Sequence, residues 1–207
     1  MKFCIIRQKR YLCSVAPAWE RELKEKIDRE SLNNKGETKR MKICVTGHRP
    51  NKLYGYDLTD NRWSQLKDAF KQVLVEQKCT EAITGMALGV DTVFALAVLE
   101  LKNEGYNIKL HCAIPCVCQY SRWSSKDQKL YFEIINSADV VKTISQKYNR
   151  AVMQKRNEYM VDNSDIILAV WDGSNSGTAN CIRYAKYNRK RILYVEPKTF
   201  NISEKKE

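Results

Sequence analysis

Between Met41 and Val195, short apolar runs alternate with longer amphipathic ones, and this alternation leaves the chain very few folds to choose from. Lys42 to Thr46 reads as a short apolar strand. Asp60 to Glu76 reads as a helix with Trp63, Leu66, Phe70 and Val73 on one face. Glu81 to Thr84 is a second strand, and Val90 to Glu104 a strongly apolar, buried helix. Lys109 to Ile114 is a third strand, closed by Pro115, and Asp127 to Ser137 is helical. Val140 to Ser145 is a strand, Ala151 to Asp162 a helix, and Asp165 to Trp171 a strand carrying a nearly unbroken apolar run. Thr178 to Asn188 is the last helix and Arg191 to Val195 the closing strand. Short strands that are apolar throughout, separated by helices, belong in a parallel sheet covered on both faces.

The expected fold is therefore α/β, a Rossmann-like three-layer sandwich with a mostly parallel sheet, over residues 41–200. A short N-terminal extension (1–40) precedes it and a polar tail (201–207) follows. In the extension, Trp19 to Ile27 suits a short helix with Leu23 and Ile27 at i,i+4, and Ser31 to Arg40 reads as a polar linker. Two readings stay open there: an added helical arm, or a gene-model extension with Met41 as the natural start.

Composition narrows the function classes. With 43% hydrophobic and 29% charged residues the chain can fill a core. Its most apolar stretch, Val93 to Leu101, falls far short of the ~20 residues that cross a bilayer. Arg7, Lys9 and Arg10 break up any secretory core, so a cytoplasmic protein without membrane partners is expected. Of the eight cysteines, Cys44, Cys112 and Cys181 sit in apolar patterns as reduced, hydrophobe-like thiols. Cys112, Cys116 and Cys118 lie near His111 but lack a paired CxxC, so no metal site is expected. The formal charge of +12 biases the chain toward phosphate-bearing partners. The first forty residues hold eleven Lys/Arg against six Asp/Glu, about +5, so the excess is not confined to one motif. Specific nucleic-acid binding is less favoured, because the basic residues are not interleaved with aromatic ones.

In a sheet of this kind ligands sit beyond the carboxyl ends of the strands, where the strand order reverses. After the first strand comes Thr46-Gly47-His48-Arg49-Pro50: glycine for close approach, a guanidinium fork for phosphate, proline to stiffen the turn. His48 alone reads as a satisfied loop histidine rather than a catalytic one. After the second strand, Gly85 and Gly89 frame a tight turn into a helix that carries Asp91 in its first turn. Asp91 either complements the helix dipole or accepts from ribose hydroxyls. After the fifth strand come Asp172-Gly173-Ser174-Asn175-Ser176-Gly177-Thr178, a polar loop whose end is a second anion-ready helix start. Pro115 ends the third strand, and its loop offers Gln119 and Trp123, an aromatic ring suited to base stacking. Arg156 and Asn157 come from the helix Ala151 to Asp162. Arg156 reads as a ligand contact, and the flanking Met153 and Met160 as ordinary core.

Taken together, these residues resemble the SLOG superfamily and, within it, the YpsA-like family of predicted nucleotide-binding proteins. The likeness spans roughly Met41 to Pro197. It rests on Thr46 to Pro50, Gly85 to Asp91, Ile114-Pro115 with Gln119 and Trp123, Arg156-Asn157 with Met160, and Asp172 with Gly177-Thr178. The resemblance implies a Rossmann-like fold and a nucleotide-derived ligand, with no reaction assigned. Relatives in the superfamily point three ways. Lonely-guy-type phosphoribohydrolases use an Arg in a Met-x-x-Arg-x-x-x-Met helix, which Arg156 between Met153 and Met160 matches, and a Glu shortly after a Gly-Thr turn. Here Asn180 takes that Glu's place, and a neutral amide does not stabilise the cationic sugar of glycosidic cleavage. The DNA-processing type binds single-stranded DNA. The sensor type attached to NAD-linked effectors resembles a receptor for ADP-ribose-like signals.

The expectation is a nucleotide-binding sensor or regulator for an ADP-ribose, NAD-derived or nucleoside phosphate ligand, needing no cofactor and compatible with a homodimer. Thr46, Gly47, His48, Arg49, Gly85, Gly89, Asp91, Pro115, Trp123, Arg156, Asn157, Asp172, Gly173, Gly177 and Thr178 are its candidate ligand residues. The alternatives are a nucleotide N-glycosidase, with Arg156, Glu158 and Asp91 as catalytic candidates, and a single-strand DNA binder of the DNA-processing type.

Overall fold

The computed structural model describes residues 40–204. The helix expected over Trp19 to Ile27, and all of the polar linker but Arg40, lie outside the described residues. In chain order the elements are β1 (Met41–Gly47), α1 (Asn61–Glu76), β2 (Cys79–Thr84), α2 (Val90–Asn103), β3 (Lys109–Cys116) and α3 (Ser125–Ser137). They continue with β4 (Val140–Ser145), α4 (Val152–Asp162), β5 (Ile166–Val170), α5 (Gly177–Tyr187), β6 (Arg191–Val195) and β7 (Ile202–Ser203). A single turn of 3₁₀ helix, Pro50–Lys52, follows β1.

One seven-stranded sheet has the order β4-β3-β2-β1-β5-β6-β7. All neighbours are parallel except β7, which runs antiparallel to β6. Because every central strand is covered on both faces, both sets of alternating side chains are apolar. Cys44, Ile83, Ala113, Ile167 and Ile192 meet Met160, Val161, Cys181 and Ala185 of α4 and α5. Ile43, Val45, Ala82 and Leu110, one residue out of phase, are equally buried and point to the other face. There α2 packs on β1, β2 and β3 and against α1. Phe70 of α1 meets Phe94 of α2 edge-on, with 5.4 Å between ring centroids.

Local chemistry explains where the elements depart from the sequence reading. α3 begins at Ser125, ahead of Asp127, because Ser124 caps it: the hydroxyl accepts from the Asp127 amide at 3.2 Å. β3 runs through Pro115 to Cys116 instead of closing at Ile114. β2 has already ended at Thr84, opposite Cys112, so the missing proline N–H breaks no ladder bond on that side. β5 stops at Val170, since Trp171 turns to donate its indole N–H to the Ser174 carbonyl at 2.7 Å. Within the polar tail, Ile202 and Ser203 pair with Val195 and Tyr194.

The sheet order places the reversal between β1 and β5, and the loops after these two strands flank it. At the far edge, β4 is thinly covered: Val140 and Val141 are 39% and 45% exposed. Among the described residues no helix is long and apolar enough to cross a membrane.

Candidate functional site

A cleft of about 420 Å³ opens above the reversal point. Its floor comes from the end of β1 (Val45, Thr46, Gly47, His48). One wall is α4 with Met153, Arg156, Asn157 and Met160, and another is the start of α5 with Ser176, Gly177 and Thr178. Arg49, Asn51 and Lys52 of the loop after β1 also line it, and the β2 corner contributes Ala87 and Asp91. Nine of the residues singled out from sequence therefore meet in one space: Thr46, Gly47, His48, Arg49, Asp91, Arg156, Asn157, Gly177 and Thr178.

The start of α5 is built to receive an anion. Ser176 is its N-cap, its hydroxyl accepting from the Ala179 amide at 3.2 Å. The amides of Gly177 and Thr178 precede the first intrahelical bonds, where the helix carries partial positive charge. A Cβ placed on Gly177 would meet nothing within 4 Å, so the space beside it is open. The exposed side chains of Arg49 and Lys52 add two cations to the same cleft.

The Gly85–Asp91 corner is closed. A Cβ on Gly85 would lie 1.5 Å from Arg156 Nη1, so the guanidinium occupies the room the glycine leaves. Arg156 and Asp91 are both buried and form an ion pair with Nη1 to Oδ2 at 3.4 Å. Burial pushes the Asp91 carboxyl up, against the pull of the Arg156 charge and the Ala87 amide, and pushes the Arg156 guanidinium down. Two amides of this turn are already engaged. Ala87 N–H donates to Asp91 Oδ2 at 3.1 Å and Met86 N–H to Thr84 Oγ1 at 3.3 Å. Gln119 Nε2 donates to the Gly85 and Met86 carbonyls at 3.1 and 2.8 Å.

Several expected contacts are therefore relocated. Gly85 underlies Arg156 instead of facing a ligand. A Cβ on Gly89 (φ +89°) would lie 3.0 Å from Pro50, and the left-handed backbone of this glycine supplies the turn into α2. Pro115 is buried within β3. Trp123 sits edge-on to Tyr131, 5.5 Å between centroids, in a separate small hollow shared with Tyr56. Asp172 and Gly173 are at the exposed rim. His48 is buried with its Nε2 at 2.7 Å from Asp172 Oδ1, joining the β1 loop to the β5 loop. The Ser174 amide, 2.9 Å from the same oxygen, does most to hold the Asp172 carboxyl well below the usual range, with the Ser174 hydroxyl and His48 adding to it.

Of the catalytic candidates, Glu158 is taken by Gln154 at 3.0 Å and does not line the cleft. Asp91 is the sole carboxylate among the described residues that do. Sequence reasoning missed Asn51, Lys52 and Ser176. Ser176 carried a readable sign, an N-cap serine directly before Gly-Thr. Lys52 carried none beyond its place after a rigid Arg-Pro turn. Of the two methionines read as core, Met160 packs against Ile83 and Ala169 while also lining the cleft, whereas Met153 is half-buried and lines the cleft. Among the described residues no three His, Cys, Asp or Glu side chains gather as a metal site.

A family model described as the YspA SLOG family (YpsA) matches residues 43–199. The chain belongs to this family. Among its relatives is the uncharacterized SPbeta prophage-derived protein YoqJ of Bacillus subtilis, 36% identical over 138 residues, covering 59% of this chain and 81% of YoqJ. A UPF0398 protein of Brevibacillus brevis is 29% identical over 142 residues, covering 66% of this chain and 76% of its own length. Among solved structures, DNA processing protein A from Streptococcus pneumoniae shares the fold with a TM-score of 0.57 at 13% identity. That likeness covers 78% of this chain, which spans about half, 52%, of the Streptococcus protein. For this member of the YspA SLOG family, the likeness supports the architecture alone.

Proposed function

We propose that this SLOG protein binds a phosphate-bearing, nucleotide-type ligand, of the ADP-ribose, NAD-derived or nucleoside phosphate class, and acts as a sensor or regulator. The observation that carries the reading is the open start of α5. Ser176, Gly177 and Thr178 border a cleft at the strand-order reversal, together with the exposed cations Arg49 and Lys52. Helix amides and guanidinium or ammonium groups converging on one space are what a phosphate needs. Thr46 and Asn157 supply further polar groups, and Met153 offers an apolar face for a base or sugar.

Binding, rather than turnover, is the favoured role. Asp91, the one carboxylate at the cleft among the described residues, is tied to Arg156 and the Ala87 amide, and Asn180 is neutral where related phosphoribohydrolases carry a Glu. An ion-paired acid at the floor is poorly placed to support a developing sugar cation.

Thermal-shift titration with ADP-ribose, NAD and nucleoside monophosphates tests the proposal. At least one should raise Tm, and Arg49→Gln or Gly177→Val should weaken that ligand at least tenfold. A folded protein that no member of the panel stabilises would overturn it. Release of free base from a nucleoside monophosphate would overturn the preference for binding.

A further inference from the structure

The loop after β3 brings together two thiols that play no part in the cleft. Cys116 is the buried last residue of β3, Cys118 is exposed two residues later, and their sulfurs are 3.7 Å apart. Among the described cysteines Cys118 is the one exposed thiol; Cys44, Cys79, Cys112 and Cys181 are buried. Burial pushes the Cys79 and Cys112 thiols up to about 12 and Cys181 to about 11, so these remain inert hydrophobes.

We propose that Cys116 and Cys118 are a reversible dithiol–disulfide pair whose substrate is a small-molecule disulfide. Exposure decides the order of events. The Cys118 thiolate attacks one sulfur of the external disulfide, whose S–S bond breaks and releases one half as a thiolate. Cys116, having given its proton to water, then attacks Cys118 Sγ. The Cys116–Cys118 bond forms and the second half leaves as a thiolate. Two protein thiols are oxidised, one external disulfide is reduced to two thiols, and no other reactant is needed.

Closing that bond brings the sulfurs from 3.7 Å to about 2.05 Å. The neighbouring residue cannot ignore the movement. Gln119 is peptide-bonded to Cys118, and its Nε2 holds the Gly85 and Met86 carbonyls, while its buried Oε1 has no partner. Drawing Cys118 toward Cys116 pulls on this clamp, so oxidation is transmitted to the turn that seats Arg156 and Asp91.

The test uses the full chain, treated with oxidised glutathione, then unfolded in guanidinium chloride so that buried thiols are reached, alkylated with N-ethylmaleimide and digested with trypsin. The peptide Leu110–Arg122 contains Cys112, Cys116 and Cys118. After oxidation it should lose two hydrogens and take one label in place of three, reversibly with dithiothreitol. Cys116→Ser should instead accumulate a glutathione adduct at Cys118. A lasting adduct at Cys118 in the unaltered protein, with Cys116 still alkylated, would overturn the pairing, as would three labels after oxidation. Hydrogen exchange at residues 85–87 should rise on oxidation, and this rise should vanish in Gln119→Ala. Unchanged exchange in a fully oxidised unaltered protein would overturn the coupling.

Discussion

The corners after β2 and after β5 share a grammar: a buried strand, a glycine turn, then a helix whose first turn faces the reversal of the sheet. Their physical states are opposite. At the β2 corner, Gly85 gives room to the Arg156 guanidinium, and the Met86 and Ala87 amides bond to Thr84 and Asp91. At the β5 corner, Gly177 borders empty space and Ser176 leaves the next two amides facing the cleft. A glycine before a helix is thus compatible with a receptor for an outside ligand and with a socket for the protein's own side chain. Deciding which requires knowing what lies across the gap.

The strongest way to break this contrast is to empty the socket. Arg156→Met leaves Asp91 as an uncompensated buried charge and should cost about 3–5 kcal/mol in urea unfolding. Adding Asp91→Asn should restore at least half of it, and a double variant no better than the single one would show that the pair is not what closes the corner. Next, Gly85→Ala forces the guanidinium aside and should cost about 2–3 kcal/mol. Gly177→Ala should stay within about 0.5 kcal/mol in the same assay. Equal losses at the two glycines would erase the distinction. Ser176→Ala, which removes only the cap of α5, should cost about 1 kcal/mol.

The smallest effect concerns the rim. The Asp172 carboxyl titrates lower folded than unfolded, so its contribution to stability is complete above the ordinary aspartate pKa of about 3.9. It declines as pH falls through that value toward the lower folded one. Asp172→Asn should therefore flatten the loss of stability between pH 5 and 3, measured by denaturant unfolding at each pH; an unchanged slope would disconnect Asp172 from the anchoring of His48.

Much of the architecture was legible because it is periodic. The run from Ile166 to Trp171 can only be a buried strand or a short piece of buried helix, and the Gly and Ser residues after it favour the strand. The β5 corner was legible because Ser-Gly-Thr is a local signal for a helix start. The state of the β2 corner was not. Arg156 lies 71 positions beyond Gly85, and no local pattern announces which distant side chain will fill a gap. Trp123 failed for a related reason. Its loop does follow β3, but Tyr131 of the next helix turns the indole into its own aromatic cluster. Lys52 went unnoticed because a loop cation looks alike whether or not it overhangs a cleft.

The sheet described above also has two unequal borders. On one side β7 adds a two-residue strand that runs against the grain and blunts the margin. On the other, the six residues of β4 have no second strand partner among the described residues, beside exposed Val140 and Val141, with Lys142 at mid-strand. A lysine in that position is a common guard against edge-to-edge pairing of one sheet with the next. Among the described residues, growth of the sheet by strand addition therefore has a single direction open to it, with the Lys142 ammonium group in its way.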